Sequence, residues 1–550
     1  MFVKAVSCFI SQLLKSETSE KIEQHILQHS GFHEALFSLF CLKFDPEKVD
    51  LTAYEKLKNE LLRRCDEQRD EIERLAIQFV DKALKTNYFL PEKKALAFRL
   101  DPHALSPKFG HLPYGIFFVY NPSFFGFHIR FHDIARGGLR TVIAKNEKDV
   151  ATLAPTILSE CYDLALTQQK KNKDIPEGGS KGIIFISQRD ELYDAQKAFI
   201  ESLISLVNFT PNGVLKHAGY ICDYYMLPEY LYLGPDEHMH DSMIEWIAEY
   251  SKNEGYVVGA AFISGKPEMG INHKEYGVTS WGVTTCMEAV LRFLGFKPEI
   301  ESFTVKMSGG PDGDVAGNQI VNFYKYYFKT AKLILVRDVS GLLFDPEGLD
   351  LKSSSQLFFD AKPIRFYPKE ALSEKAFLLH IEVRKGDEVS LVKNQKGALE
   401  KVWLSESEAD EQLVWQLNQC ASDIFIPAGG RPATLNAENV NDFLDAKGNP
   451  TARAIIEGAN LYLTNEARDF LEKKGVVIIK DSSANKGGVI CSSFEVLANL
   501  VLTEEEFTRE KKILVQEILE RIKKCTHDEV SLILQVHKKT NKSCSEISNE

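Results

Sequence analysis

Ser302-Phe303-Thr304-Val305-Lys306-Met307-Ser308-Gly309-Gly310-Pro311-Asp312-Gly313-Asp314-Val315-Ala316-Gly317 is the stretch that decides the fold. A strand-like run enters a cluster of glycines, and a helical pattern starts at about Val315. Glycines at a strand-to-helix turn let the backbone approach a pyrophosphate, whose charge the helix N-terminus then stabilises. The spacing departs from G-x-G-x-x-G, so the turn alone also fits a glycine-rich bend that binds nothing. Its context adds weight. The next strand-like run, Lys332 to Asp338, ends about where dinucleotide folds place an acid for the adenosine ribose hydroxyls. A carboxylate at Asp338 would repel a 2′-phosphate and favour NAD over NADP, with Arg337 beside it acting in the opposite direction. No GxxxxGK[ST] occurs in the chain, which argues against a P-loop enzyme.

Working outward, strand-like and helical runs alternate over residues 279–489. The strands are SFTVKM, KLILVRD, DIFIPAGG, AIIEGAN and VVIIKDS, and helices are expected from Val315 to Thr330 and Asn465 to Lys473. This alternation predicts a mostly parallel sheet covered on both faces, a Rossmann-like domain interrupted by an insertion near 352–411. A second α/β domain is expected over 101–278, with strands in GIFFVY, GFHIRF and KGIIFI. Residues 1–100 read as helical, with one long amphipathic helix from Leu51 to Leu84. The first sixteen residues read as a packed helix, not a signal peptide. The charged helical tail, 490–550, is expected to join the 101–278 domain.

With 550 residues the chain exceeds one hydrophobic core. A net charge of −12 argues against nucleic acid as a partner. No apolar stretch approaches the roughly 20 residues that cross a bilayer. The ten cysteines show no CxxC pair, which points to reduced thiols in a cytoplasmic protein.

Three stretches of the 101–278 region carry chemistry-bearing residues. Ala135-Arg136-Gly137-Gly138-Leu139-Arg140 sets cations beside a glycine pair. Lys171-Asn172-Lys173-Asp174-Ile175-Pro176-Glu177-Gly178-Gly179-Ser180-Lys181-Gly182 puts Lys181 among glycines before an apolar strand. Leu233-Gly234-Pro235-Asp236-Glu237 ends a strand-like run in an acidic pair. Each, read singly, also suits a surface turn. A lysine desolvated at a glycine-lined strand loses part of its basicity and can serve as a general base, and fixed cations hold dicarboxylates. His128, His132, His238 and His240 lie at short spacing, but such pairs are more often hydrogen-bonded or exposed, and no catalytic metal is expected.

From about Asn87 to Asn499 the sequence resembles the large, NAD-dependent branch of the glutamate dehydrogenase family. The resemblance implies a two-domain amino-acid dehydrogenase, in which hydride passes from glutamate to NAD and 2-oxoglutarate and ammonia are released. It implies Lys181 as the catalytic lysine, Asp236 as the proton-shuttling acid and Lys171 on the substrate α-carboxylate. Arg136 and Ser492 would hold the γ-carboxylate, with Asn485 a further substrate contact. On the cofactor side it implies Thr279 at the nicotinamide carboxamide, Gly310, Gly313 and Gly317 in the turn, Ala428 on a nearby loop and Asn460 near the nicotinamide ribose. A homo-oligomer is implied as well. Arg136 stands where the small hexameric relatives carry lysine, and their lysine-to-lysine segment is about two residues longer. The chain is shorter than large-branch enzymes, as a fragment, a short natural version or a split-gene product would be. Two alternatives remain at this point: a dehydrogenase for another amino acid on the same scaffold, and a ligand-binding subunit without turnover.

Overall fold

A run of helices opens the chain, three of them started by the capping side chains of Thr18, Asp50 and Asp70. The computed structural model describes residues 1–29, 31–105, 109–188, 191–266 and 270–550. It begins with α1 (Phe2–Leu14), α2 (Ser19–Gln28), α3 (Phe32–Phe44), α4 (Leu51–Gln68) and α5 (Glu71–Lys82). The expected single helix from Leu51 to Leu84 is therefore two. Arg69 turns left-handed at φ 56°, and the Asp70 carboxylate accepts the Glu73 N–H at 2.9 Å to start α5. The charged run around the break keeps its helical spacing, so periodicity gave no sign of it. The chain then enters β1 (Ala83–Thr86) and β2 (Leu96–Leu100), so the expected all-helical region 1–100 contributes two strands as well.

Those strands begin a seven-stranded sheet. It continues with β3 (Gly115–Asn121), β4 (Phe124–Arg130), β5 (Ala135–Ile143), β6 (Gly178–Ile186) and β7 (Tyr232–Pro235), in the order β1-β2-β3-β4-β6-β5-β7. β4 pairs antiparallel with β6, whereas β5 runs parallel to both β6 and β7. The helices α6 (Glu147–Leu153), α7 (Ile157–Lys170), α8 (Leu192–Val207) and α9 (Asp241–Asn253) complete this unit, Met1–Gly270. Phe9 of α1 and Phe79 of α5 pack at 5.1 Å and both meet Phe118 of β3, which docks the N-terminal helices on the sheet. α1 is thus a packed helix.

The second unit, Ile271–Glu550, starts eight residues before the expected boundary at 279. It contains α10 (His273–Tyr276), α11 (Val278–Phe293), β8 (Phe303–Ser308), α12 (Asp314–Tyr326), β9 (Ala331–Asp338), β10 (Gly341–Phe344) and α13 (Leu351–Phe359). There follow β11 (Phe377–Lys385), β12 (Glu388–Gln395), β13 (Ala398–Leu404), α14 (Glu406–Gln419), β14 (Ser422–Pro427), β15 (Ala452–Ile456), α15 (Asn465–Glu472) and β16 (Val477–Ile479). The unit ends with α16 (Asp481–Ala484), α17 (Gly487–Val501), α18 (Glu504–Thr540) and α19 (Cys544–Asn549). Strands β9-β8-β14-β15-β16 form the expected parallel sheet. β10 to β13 extend it as an antiparallel meander, so the insertion adds strands to the same sheet. The C-terminal helices belong to this unit and not, as expected, to the first. Trp281 of α11 donates to the Leu519 carbonyl of α18 at 3.1 Å, and Lys486 pairs with Glu529 at 2.7 Å. Among the described residues no helix is long and apolar enough to cross a membrane.

One buried acid holds three strands and a loop of the first unit together. Glu229 pairs with Lys85 of β1 at 3.3 Å and Arg99 of β2 at 2.9 Å, and touches Arg130 of β4. Burial pushes its carboxyl upward, but Arg99, Arg130 and Lys85 outweigh this and hold it below the ordinary glutamate value. The stability it contributes is present above its unfolded pKa and is lost as pH falls through the lower folded value. Glu229→Gln leaves buried cations uncompensated, and should destabilise the first unit by about 3–5 kcal/mol at pH 7. Urea melts at several pH values check this, and the gap to the parent chain should narrow as pH falls below the glutamate range.

Candidate active site

In the first unit, a strand that lacks side chains at two positions shapes the surroundings of Lys181. A Cβ at Gly137 would lie 1.5 Å from the Ser180 carbonyl oxygen, and one at Gly138 would lie 2.9 Å from both Cβ and Oδ2 of Asp236. β5 can therefore press against β6 on one face and admit Asp236 on the other. Lys181, on β6, is 2 % exposed, and its Nζ contacts Asp236 Oδ2. Burial first, then the positive charge of Arg140, hold the Lys181 amine well below the ordinary lysine range; Lys171 adds to this, while Cys161 and Glu160 oppose it. Asp236 keeps its other oxygen for the Glu237 N–H at 2.8 Å and for Arg140 at 3.6 Å. Arg140 is itself anchored on buried Glu160 at 3.0 Å. Lys171, the residue that ends α7, is buried. The structure thus gathers Lys171, Lys181 and Asp236, as expected, and adds Arg140 and Glu160.

Arg136 is differently placed from the expectation. Its guanidinium donates to Glu177 at 3.2 Å and to the carbonyls of Leu233 at 3.1 Å and Ala261 at 3.2 Å, and it lies over the Tyr232 ring. Lys173, half-buried, donates to the Arg136 carbonyl at 3.0 Å and to Glu177 at 3.1 Å. A guanidinium engaged this way braces β7 and the loop before β6.

The glycine-rich turn lies in the other unit, Ile271–Glu550. Gly309 adopts φ +98°, and a Cβ there would meet the Gly429 nitrogen at 2.8 Å, so the turn after β8 and the loop after β14 touch backbone to backbone. Ser308 Oγ donates to the Gly429 carbonyl at 2.6 Å, and the Ala428 N–H donates to the Ser308 carbonyl at 2.9 Å. A Cβ at Gly310 would lie 2.5 Å from Asp338 Oδ2. Gly317 lets α12 sit on Pro311 and Phe358. Gly313 is the N-cap of α12 and offers no side-chain cap, which leaves first-turn N–H groups for an anion. The Asp338 carboxylate accepts from the Ser340 N–H and hydroxyl, both at 2.7 Å, and from the Ile364 N–H at 2.9 Å. Burial raises its pKa, partly offset by these bonds.

Asn485 donates to Asn460 Oδ1 at 2.8 Å and to the Gly458 carbonyl at 3.2 Å, and its own Oδ1 is buried with no partner among the described residues. The loop carrying Asn460 is fixed by the buried pair Glu457–Arg468, at 2.6 Å, and by Asp481, which accepts the Leu461 N–H at 2.8 Å. Thr279, in the first turn of α11, lies beside Gly488, where a Cβ would be 3.4 Å from its Oγ1. Ser492 is half-buried on α17. Gly310, Asp338, Ala428 and Asn460 follow or end β8, β9, β14 and β15 at one end of the parallel strands, whereas Ser492 and Arg136 belong to different units.

The four histidines make no metal site with one another. His128 is buried and held neutral by burial, its pKa lowered to about 3, and His132 is exposed against Asp133. His238 bonds the Thr141 carbonyl at 2.7 Å, and His240 precedes α9 near the Tyr193 ring. Sequence reasoning gave Arg140, Glu160, Lys173 and Glu177 no role. Arg140 could have been found: it falls four residues after Arg136 with Gly138 between, on one face of a strand, but the glycine pair read as a turn.

One unit with a parallel sheet of dinucleotide type and another, α/β, that buries a lysine against an aspartate are the two elements of a two-domain amino-acid dehydrogenase. The profile described as "Bacterial NAD-glutamate dehydrogenase, catalytic domain" matches residues 56–360, and that described as "Glutamate/Leucine/Phenylalanine/Valine dehydrogenase" matches 270–542. The chain is 39% identical over 461 residues to glutamate dehydrogenase 2 of Dictyostelium discoideum, covering 82% of this chain and 42% of that protein. It is 34% identical over 496 residues to the NAD-specific glutamate dehydrogenase of Saccharomyces cerevisiae, covering 86% and 43%. Its fold is similar to that of a hetero-hexameric glutamate dehydrogenase from Thermus thermophilus, with TM-score 0.50 and 17% identity over 78% of this chain and 82% of that one. The chain belongs to the large-type NAD-glutamate dehydrogenase family. It spans less than half the length of these curated relatives.

The bracing geometry of Arg136 has a direct consequence for stability. Arg136→Ala removes several buried hydrogen bonds and should lower the melting temperature by at least about 5 °C. A residue acting only on a substrate carboxylate would leave the melt of the unliganded chain unchanged, so differential scanning calorimetry separates the two roles.

Proposed function

We propose that this chain catalyses the oxidative deamination of L-glutamate to 2-oxoglutarate and ammonia with NAD. The observation that carries this reading is the contact of buried, weakly basic Lys181 with Asp236. A lysine whose basicity is lowered by burial and by a neighbouring cation gives up its proton more readily than an ordinary lysine, and its free amine can take a proton from a water attacking Cα. Asp236, partly exposed and touching the amine, exchanges protons with the departing nitrogen. Because the two groups are in contact, a proton passes between them without crossing solvent.

The residues of the second unit fit a dinucleotide on the observations that α12 lacks a side-chain cap and that Asn485 keeps a buried, unpartnered oxygen. Gly310, Gly313 and Gly317 would admit the pyrophosphate, Asp338 a ribose hydroxyl, Ala428 and Asn460 the nicotinamide side, and Thr279 the carboxamide. When bound, NAD supplies the hydride acceptor. Lys171 would hold the α-carboxylate, and Asn485 and Ser492 would complete the substrate contacts. Arg136 serves in this reading as a positioning residue that fixes Glu177 and β7. The ten cysteines are all free thiols, which supports a cytoplasmic location; a homo-oligomer remains part of this reading, to be read from the mass of the purified chain in solution. No separate observation favours an apolar amino acid as substrate or a subunit without turnover.

Glutamate-dependent reduction of NAD by the purified chain, followed at 340 nm against a panel of amino acids and against NADP, tests the proposal. Lys181→Met should lower kcat by about 10²- to 10⁴-fold while NADH still binds. Near-normal turnover in that variant would sink the assignment of the base.

Arg140→Gln removes a cation that depresses Lys181, so the amine's pKa should rise. The base works unprotonated, and the acid limb of kcat/KM for deamination should therefore move to higher pH. An unmoved or downward-shifted limb would exclude Lys181 as its source.

Gly310→Ala presses a methyl group against Asp338 and should weaken NADH binding by about 10-fold, or 1.4 kcal/mol, in fluorescence titration.

A further inference from the structure

We propose that His29, Asp70 and Glu73 form a divalent transition-metal site, of the zinc class, that fastens α2 to α5 in the N-terminal helical layer. His25 and His29 lie one turn apart at the C-terminal end of α2, and their rings stack at 5.6 Å. Both face the N-terminus of α5. His25 Nε2 is 2.7 Å from Asp70 Oδ2, and His29 Nδ1 contacts Glu73 Oε1. One ligand atom from each of His29, Asp70 and Glu73 can be chosen so that all lie within 4.8 Å of one another. A tetrahedral ion with bonds of about 2.1 Å needs donors about 3.4 Å apart, which small side-chain rotations supply.

The burial of Glu73 distinguishes this cluster from an ordinary surface ion pair. Its carboxylate is fully buried, yet its side-chain partners are an imidazole and the Cys65 thiol at 3.6 Å. Neither is a fixed cation, and no Lys or Arg ion pair with Glu73 occurs among the described residues. Buried carboxylates are normally matched by a cation or a metal. The two histidines are each 37% exposed at the side chain, so an ion can reach the acids from solvent.

Mixed imidazole and carboxylate donors suit a borderline ion and do not make the oxygen-rich cage that Ca²⁺ or Mg²⁺ prefers. His29 Nδ1, an Asp70 oxygen and a Glu73 oxygen would be the protein ligands, with water in the fourth position. Asp70 Oδ1 already caps α5, so Oδ2, which is bonded to His25, is the oxygen that would turn a second lone pair toward the metal. His25, hydrogen-bonded to that carboxylate, would orient it from the outer shell, an arrangement common around protein metals. Binding would replace the hydrogen bond between His29 and Glu73 with a metal cross-link between the two helices.

The test uses the full chain, stripped with chelator and titrated with Co²⁺ as a spectroscopic stand-in, then with Zn²⁺ in competition. The expected result is saturable visible absorption from a low-coordinate Co²⁺ at one per chain, displaced by Zn²⁺. His29→Gln should weaken this binding at least 10-fold, and His25→Gln by about 10- to 100-fold. His132→Gln, at an exposed histidine elsewhere, should leave it unchanged. Both histidines of the cluster are partly exposed, so the variants should fold, as circular dichroism melts would verify. Absence of saturable Co²⁺ binding, or binding that survives His29→Gln and Glu73→Gln alike, overturns the proposal.

Discussion

Lys181 sits where a lysine should not be, inside a sheet with its amine against a carboxylate, and the rest of the first unit is arranged to make that tolerable. Desolvation alone would expel such a side chain or strip its proton, and Arg140 adds repulsion from the same side. Asp236 can reach the amine only because β5 carries no side chain at Gly138, and β5 can lie so close to β6 only because it carries none at Gly137. Two glycines in mid-strand weaken a strand locally. The hub on Glu229 and the brace through Arg136 and Glu177 restore the order that the glycines remove, on either side of the reactive pair.

This explains why the sequence disclosed the reactive groups better than the frame around them. Lys181 and Asp236 stand out because a lysine among glycines and an acidic pair after a strand are unusual compositions. The parallel strands of the second unit were readable because each is a short apolar run ending in glycine or polar residues. The surroundings were hidden for physical reasons. β5 reads as a turn, since Gly137 and Gly138 signal bending in isolation and close packing only when the neighbouring strand is known. Arg136 shows a cation in the sequence but not the carbonyls of Leu233 and Ala261, which come from 97 and 125 residues away. The break at Arg69 is a left-handed residue without glycine, and no local pattern announces one.

The C-terminal helices show a related limit. Their apolar spacing predicts a buried stripe but not the partner that covers it. Trp281 settles the matter by bonding to Leu519, and the long helix then lies on α11, whose first turn carries Thr279. On the proposed reading, α18 is remote in sequence from the cofactor turn yet stiffens the helix that presents a carboxamide contact. The N-terminal helices do something comparable for the other unit, where Phe9 and Phe79 cover the sheet beneath Phe118.

On the proposed reading, the meander after β9 also bears on cofactor choice. Ionised carboxylate oxygens together offer about four acceptor positions. Three at Asp338 are filled by the Ser340 N–H, the Ser340 hydroxyl and the Ile364 N–H. A group so held cannot swing aside to admit a 2′-phosphate, whereas one remaining acceptor position is enough for a ribose hydroxyl. Gly310 makes the fit closer still by leaving room for Asp338 against the turn itself. Ile364 belongs to the segment that leads into β11, so the extra strands do more than widen the sheet: their entry fixes the orientation of the acid on which a preference for NAD would rest.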